Sequence, residues 1–260
     1  MEIIMNKNSR LKQIELALNL YGSVDVCSLS ADLGTSEMTI RRDLATLADQ
    51  GKAIRIHGGA ILPTEHYING INMDSRSTLH INEKKAIAQE AVKYIRSGDN
   101  IFIDDSSTVS VIADFIPHNQ QLIITTTSMK TTLRFNEFPN IDVICLGGKV
   151  SKSTQSATGP ITTDLISTMH FKTAFLGIPC ISENGILSTS SFDEYSIKKA
   201  VIAHSSQVIL LADSSKIRTP QYLSLADSKD LSRIITDCNA PKSFVEHCHN
   251  HNIPLSVVPF

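Results

Sequence analysis

The chain of 260 residues contains no apolar run approaching the roughly 18 residues that would predict a membrane-spanning helix. Its opening residues, MEIIMNKNSR, lack the basic segment, apolar core and cleavage site of a secretory signal peptide. These absences predict a cytoplasmic protein with no membrane partner. Met1 and Met5 are both possible starts of translation, and the sequence does not distinguish them.

Cysteine and catalytic motifs are also scarce. The five cysteines are widely separated and odd in number, which is typical of reduced thiols rather than disulfides. His247, Cys248, His249 and His251 have a zinc-like composition, but their spacings of one and two residues scatter them around a helix. The segment 147–149 (GGK) lacks the rest of a nucleotide-hydrolysing phosphate loop, and no nucleophile-elbow pattern is present. The sequence therefore predicts no catalytic residue, no metal and no cofactor.

An amphipathic pattern at helical spacing begins near residue 35. Ile40, Leu44 and Leu47 recur on one side at about 100° per residue, which gives one apolar stripe. Hydroxyl and arginine side chains fall on or beside the opposite face, namely Thr35, Thr39, Arg41, Arg42 and Thr46. Taken alone, such a pattern is more typical of an ordinary surface helix than of a helix that binds DNA.

The neighbouring segments favour DNA binding. Apolar residues between 11 and 20 predict a first helix, residues 28–33 predict a short second helix, and Gly34 turns the chain into the third. Residues 52–57 then alternate polar and apolar, as a strand does, before a glycine turn. Helix, short helix, turn, helix and basic hairpin is the order of a winged helix-turn-helix, whose partner is double-stranded DNA.

Six side chains are predicted to contact DNA, because hydroxyls and basic groups reach phosphates and base edges: Ser36, Thr39, Arg41, Arg42, Arg55 and His57. Residues 1–60 carry seven basic and seven acidic side chains, so the bases must be segregated by geometry. Asp43 falls on the buried side and is predicted to pair internally. Few phosphate contacts predict weak binding by a monomer, which favours a homo-oligomer (dimer or tetramer) on repeated half-sites.

The pattern changes after residue 61. Residues 62–80 have no clear periodicity and predict a linker between a DNA-binding domain at 6–61 and an α/β domain at 81–258. Strands are predicted at 100–103, 122–124, 141–146, 173–178, 208–212, 234–236 and 255–258, and helices at 82–96, 108–115, 162–169 and 194–203. This alternation predicts a mostly parallel sheet covered on both faces.

Polar segments follow the predicted strands, at the edge of the sheet where open α/β folds bind ligands. The candidate effector-binding residues are Asp104, Ser106, Ser107, Thr108, Thr127, Ser128, Gly147, Gly148, Glu194 and Lys216. Hydroxyls before a helix can hold a phosphate, Lys216 supplies positive charge, and the acids accept hydrogen bonds from sugar hydroxyls. Helix capping, a tight turn at the two glycines and a surface pair between Asp213 and Lys216 are the structural alternatives.

Residues 39–44 (TIRRDL) and 55–60 (RIHGGA), at their observed separation, closely resemble the DNA-binding domain of the DeoR family of bacterial transcription regulators. Residues 75–258 resemble the family's sensor domain, whose fold is similar to ribose-5-phosphate isomerases and CoA transferases. The resemblance implies an effector-sensing, oligomerising domain that binds a phosphorylated sugar or related metabolite. It also implies repression of a carbohydrate-utilisation operon.

The sensor motif departs from the family at one loop. The family often has glycine at the position of Ser106 and a small neutral residue at that of Asp105. Because an added carboxylate repels a phosphate, either Asp105 faces away from the ligand or the effector is not a simple sugar phosphate.

An enzyme remains the alternative function: a sugar-phosphate isomerase that carries a DNA-binding appendage. Isomerisation needs a carboxylate base, and Asp104, Asp105 or Glu194 are candidates for that base. An isomerase has no need of the N-terminal 60 residues, so we expect a regulator rather than an enzyme.

Overall fold

The computed structural model describes residues 6–21, 23–56, 58–61 and 73–260. The chain forms two compact units, residues 1–76 and 77–260. His57 and most of the predicted linker, residues 62–72, lie outside the described residues. A short helix, α4 (Met73–Thr78), occupies the end of the segment predicted as linker. None of the helices described is long and apolar enough to cross a membrane.

The N-terminal unit has the predicted order of elements. Its helices are α1 (Lys7–Tyr21), α2 (Val26–Asp32) and α3 (Glu37–Asp49), and its strands are β1 (Ser23–Asp25), β2 (Ile54–Ile56) and β3 (Gly59–Ile61). The strands form an antiparallel sheet in the order β1-β3-β2. The strand β1 is an addition to the prediction. Helix α2 begins earlier than predicted because the Asp25 carboxylate accepts hydrogen bonds from the N–H groups of Cys27 and Ser28.

A buried ion pair crosses the core of this unit. The core contains the predicted apolar stripe of α3 together with residues of the other elements, namely Ile14, Leu18, Val26, Leu29, Ile40, Leu44, Leu47, Ala53 and Ala60. Beside them, Arg10 Nε of α1 lies 2.5 Å from Asp43 Oδ2 of α3. The pair confirms the predicted internal role of Asp43, and it fixes α3 against α1.

The second unit is built on a seven-stranded sheet. Its strands are β4 (Asn100–Ile103), β5 (Leu122–Thr126), β6 (Ile141–Cys145), β9 (Phe171–Leu176), β12 (Ser205–Leu211), β14 (Arg233–Asp237) and β15 (Leu255–Val258), in the order β15-β14-β12-β9-β4-β5-β6. Every pairing within the sheet is parallel, which confirms the predicted fold class.

Helices pack on both faces of this sheet. They are α5 (Ile81–Ala91), α6 (Met129–Phe135), α7 (Pro160–Ser167), α8 (Phe192–Ala203) and α9 (Lys242–Asn250). Shorter strands form a hairpin of β7 (Lys149–Val150) with β8 (Ala157–Thr158) and an antiparallel sheet of β10 (Cys180–Ile181), β11 (Ile186–Thr189) and β13 (Leu223–Asp227). These shorter strands were not predicted, because two to five residues carry too little periodicity.

Two predicted helices differ in form. The segment predicted at 108–115 is a 3-10 helix, Val109–Asp114, in which β-branched residues disfavour a regular α-helix. The segment predicted at 82–96 is divided into α5 and a short 3-10 helix, Val92–Tyr94.

The strand order reverses beside β4. The chain adds β5 and β6 on one side of β4, then returns to add β9, β12, β14 and β15 on the other. The carboxyl ends of β4 and β9 are therefore neighbours at the switch point, where open α/β sheets form a crevice for ligands.

We predict that Asp43→Asn lowers the stability of the N-terminal unit by about 3 kcal/mol, because it removes the negative charge that lies 2.5 Å from the Arg10 guanidinium. Hydrogen exchange of α1 and α3, followed by mass spectrometry, should be correspondingly faster. The control is Asp49→Asn, an exposed change in the same helix, which should alter stability by about 0.5 kcal/mol or less. Equal exchange rates in the two variants would contradict the structural role of the pair.

Candidate nucleic-acid interface and effector site

The first turn of α3 presents two hydroxyls that bind each other. Ser36 is the N-cap, as predicted, and its Oγ accepts a hydrogen bond from the Thr39 N–H at 3.3 Å. The same Oγ lies 2.9 Å from Thr39 Oγ1. This arrangement places both hydroxyls at the positive end of the helix dipole, which attracts phosphate.

Basic side chains on α3 are exposed. Arg41 Nη2 lies 3.2 Å from Glu37 Oε2, but both side chains are about half exposed and such pairs are weak. Arg42 is exposed on the next position of the helix. A phosphate can therefore replace Glu37 as the partner of Arg41 at little cost.

The wing presents fewer basic groups than its sequence suggests. Arg55 is exposed on β2, between the exposed side chains of Ile54 and Ile56. Lys52 precedes β2, and its Nζ lies 2.8 Å from Glu15 Oε2 of α1. Lys52 therefore has an acidic partner in α1, through a partly exposed ion pair.

A buried ion pair lies at the switch point of the sheet. Asp104 follows β4, and its Oδ2 accepts hydrogen bonds from Lys198 Nζ of α8 at 2.5 Å and from the Gly177 N–H, just beyond β9, at 2.9 Å. Both charged side chains are almost completely buried. The pair joins the ends of two adjacent strands to the helix that packs on them.

Glu194 extends this cluster. Its Oε1 lies 3.5 Å from Lys198 Nζ, one helical turn away, and its Oε2 accepts a hydrogen bond from Thr189 Oγ1 at 2.6 Å. The Ser191 hydroxyl caps the start of α8 by accepting from the Glu194 N–H. The structure thus brings together two predicted effector residues, Asp104 and Glu194.

Burial and neighbouring charges shift the pKa values of Asp104 and Lys198. Burial raises the pKa of Asp104 to about 6; Lys198 opposes this shift, and the neighbouring Asp105 reinforces it. Burial would lower the pKa of Lys198, but the carboxylates of Asp104, Glu194 and Asp105 raise it above its ordinary value. Lys198 is therefore protonated at neutral pH, among more acids than it can neutralise.

The loop after β4 packs tightly against Gly177. A Cβ at Gly177 would lie 2.1 Å from Ser106 Oγ, so only glycine fits there. The Ser106 hydroxyl accepts a hydrogen bond from the Val109 N–H, and the Ser107 carbonyl accepts from Ser110. Ser107 and Thr108 are buried beside it. The Ser106 hydroxyl is therefore engaged in a local hydrogen bond within its own loop.

Two further predicted loops are organised by local hydrogen bonds. Ser128 Oγ caps α6 by accepting from the Thr131 N–H, and the carbonyl of the buried Thr127 accepts from the Ala157 N–H. The Gly147 carbonyl accepts from Thr162 Oγ1 of α7 at 2.8 Å. These hydrogen bonds are equally consistent with a purely structural role. Effector binding by Thr127, Ser128, Gly147 and Gly148 therefore stays a prediction.

The adjacent Gly148 cannot carry a side chain. A Cβ there would lie 2.1 Å from Thr162 Oγ1 and 2.8 Å from the Thr158 carbonyl oxygen, and its φ is 153°. Both neighbours approach closely because α7 begins directly over this turn. The glycine pair therefore allows α7 to pack against the end of β6.

A second polar cluster follows β12. The Asp213 carboxylate accepts hydrogen bonds from the N–H and hydroxyl of Ser215, which caps a 3-10 turn at Ser214–Lys216. Burial would raise the pKa of Asp213, but Lys216, with His80 and Lys84, holds it below its ordinary value. Asp213 Oδ2 is buried and receives no hydrogen bond from any described residue. That oxygen can accept one from a ligand.

Lys198 and Gly177 were missing from the predicted site. The spacing of Glu194 and Lys198, four residues apart on one helix face, is a signal that identifies their pair. No local pattern relates Lys198 to Asp104, which lies 94 residues away along the chain.

Two family models match the two units. Residues 10–66 match the DeoR-like helix-turn-helix domain, and residues 79–238 match the DeoR C-terminal sensor domain. The chain is also 34% identical to an uncharacterized HTH-type transcriptional regulator, YulB, of Bacillus subtilis, over 96% of both chains.

Other similar proteins carry more specific names. The lactose phosphotransferase system repressor of Staphylococcus epidermidis is 34% identical over 90% of this chain and 94% of that one. A putative aga operon transcriptional repressor of Escherichia coli is 28% identical over 98% and 95%. Ribose 5-phosphate isomerase A from Neisseria gonorrhoeae aligns over 57% of this chain and 56% of its own, with 16% identity and a TM-score of 0.39. Similarity at that last level establishes no shared activity.

We predict that Asp104 titrates with a midpoint near pH 6 in the folded chain. Carboxyl carbon NMR on aspartate-labelled protein, with Asp104→Asn to assign the resonance, measures this midpoint. Because the pKa is raised on folding, the contribution of this carboxyl to stability is full below about pH 4 and declines until about pH 6. A midpoint at or below pH 4 would show that Lys198 outweighs burial.

Proposed function

The chain belongs to the DeoR family of transcriptional regulators, and from that premise we propose that it represses a carbohydrate-utilisation operon until a phosphorylated sugar or related metabolite relieves the repression. The observation that carries the proposal is the presence of both family domains in one chain. Similar proteins named as repressors of a lactose phosphotransferase system and of an aga operon support the carbohydrate assignment.

In the proposed complex, α3 lies in the major groove of double-stranded operator DNA. The exposed Arg41 and Arg42 contact phosphates and base edges, with Ser36 and Thr39 at the helix N-terminus and Arg55 on the wing. Arg10 and Lys52 are held by acids within the unit, so few bases remain for phosphates. This scarcity supports a homo-oligomer that engages more than one half-site.

In the sensor unit, the two polar clusters suit the two ends of a sugar phosphate. Asp104, Glu194 and Lys198 form a cluster of charged hydrogen-bonding groups suited to sugar hydroxyls. The second cluster, around Asp213 after β12, lies two strands from Asp104, a distance of about 10 Å. There Lys84 and Lys216 lower the pKa of Asp213 and supply positive charge for the phosphate. This orientation keeps the phosphate away from Asp105 and reconciles that carboxylate with a phosphorylated ligand.

An effector relieves repression only if it binds the DNA-free chain more tightly than the chain bound to its operator. If the effector weakens operator binding, then operator DNA weakens effector binding by the same factor. We propose that the chain acts in the cytoplasm as such a sensor and not as an isomerase. Asp104 Oδ2, a candidate base, already accepts hydrogen bonds from Lys198 and Gly177, which supports a structural and binding role for it.

We predict that Arg42→Ala weakens operator binding about tenfold or more and reduces the dependence of log Kd on log salt by about one, because one cationic contact is lost. Fluorescence anisotropy on DNA from the gene's own upstream region measures both quantities. Lys12→Ala is the matched control, since it removes one exposed base from α1 and leaves α3 intact. Unchanged affinity in Arg42→Ala would exclude Arg42 from the interface.

We also predict that Lys216→Ala keeps operator affinity but needs about tenfold more sugar phosphate to release DNA, since a charge-assisted hydrogen bond is lost. The measurement is release of labelled DNA by a panel of phosphorylated sugars. Lys229→Ala, a change at an exposed lysine in the turn after β13, is the control. A response curve identical to that of the parent would show that Lys216 does not bind the phosphate.

A further inference from the structure

The first turn of α3 exposes one large apolar side chain, that of Met38, which is 59% exposed. The polar side chains around it bind each other. The Ser36 and Thr39 hydroxyls lie 2.9 Å apart, and Glu37 pairs with Arg41. Met38 therefore adds apolar surface to a turn whose other side chains are polar.

The exposed apolar side chains of the N-terminal unit lie on two elements. Among the residues of this unit whose side chains the structure describes, the large apolar ones exposed to solvent are Met38 on α3 and Ile54 and Ile56 on β2. These elements are the helix and the wing strand that carry the exposed arginines. A single exposed apolar side chain is ordinary, but three on these two elements indicate an apolar component of the surface that contacts DNA.

Met38 lies in the middle of the exposed face of α3. At about 100° per residue, Arg42 and Ala45 return to the side of Met38, and Arg41 lies on its other flank. The apolar stripe that enters the core lies on the opposite side. Ala45 has the smallest side chain of the exposed face, so the helix can approach a partner closely there. The face is therefore apolar along its centre, with an arginine on either side.

The major groove of DNA offers an apolar group to such a surface, the 5-methyl group of thymine. In helix-turn-helix complexes, the N-terminal residues of the recognition helix contact the base edges. Met38 is the second residue of α3, and its side chain is long, unbranched and flexible. It can therefore reach a methyl group on a base edge while the flanking arginines bind phosphates.

We propose that Met38 contacts the 5-methyl group of a thymine in each half-site of the operator and sets a preference for thymine at that position. This inference rests on the proposed function, because it requires α3 to lie in the major groove. Met38 and Arg42 then have different roles. Arg42 supplies affinity that falls with salt, whereas Met38 discriminates thymine from cytosine by excluding water from a methyl group, and this contribution releases no counterion.

Replacing thymine by deoxyuridine tests the contact, because the exchange removes only the methyl group. The probe is an operator fragment that the full chain binds specifically, with each thymine replaced in turn and Kd measured by fluorescence anisotropy. For the parent chain, we expect one position in each half-site at which uracil raises Kd about fourfold, at low and at high salt alike. At that position, uracil should leave the Kd of Met38→Ala unchanged.

Two control variants separate this contact from a general loss of binding. Met38→Leu retains an apolar side chain and should keep most of the increase in Kd that uracil causes. Ile54→Ala removes a comparably exposed apolar side chain from the wing, outside α3, and should keep all of that increase.

Two kinds of failure are distinguishable. If no thymine is sensitive to uracil, or if the parent and Met38→Ala are equally sensitive at every position, the assignment of Met38 is wrong, while specific operator binding still stands. If the parent chain prefers no DNA fragment over random DNA, the proposed function is contradicted and this inference is contradicted with it.

Discussion

The buried pair of Lys198 and Asp104 is the interaction on which the sensor unit depends. It joins the end of β4 to α8, and the Gly177 N–H adds the end of β9 to the same carboxylate oxygen. Removing one partner would leave the other charge buried and uncompensated, which is far more costly than losing a surface pair. The strand order makes this contact possible, because it brings β4 and β9 together at the switch point.

The two units use charge in different ways. In the N-terminal unit, acids hold Arg10 and Lys52 as structural groups and leave the bases of α3 and the wing exposed to solvent. In the sensor unit, the acids Asp104, Glu194 and Asp105 surround a single buried lysine, Lys198, and raise its pKa. The exposed bases of one unit and the buried charges of the other therefore have different roles: the former are available to a partner, and the latter stabilise the fold.

Much of this fold is predictable from local patterns. The spacing of Ile40, Leu44 and Leu47 identifies α3 and its buried side, and the alternation of apolar runs identifies the parallel sheet. Contacts distant along the chain are not predictable, which is why the pairing of Lys198 with Asp104, the role of Gly177 and the partner of Lys52 require the structure. The hydroxyls at the sheet edge are ambiguous in the sequence. Ser106 and Ser128 are suited to a ligand site, yet each accepts a local hydrogen bond from a backbone N–H three residues later.

In the proposed function, one chain combines an operator-binding unit with a sensor of phosphorylated sugars. Selection of genomic DNA fragments by the full chain, followed by elution with a panel of sugar phosphates, tests both halves together. The proposed function predicts a small set of enriched fragments beside carbohydrate-utilisation genes and their release by at least one sugar phosphate. Recovery of fragments at random would contradict the DNA-binding assignment, and enrichment that no sugar phosphate reverses would contradict the effector class.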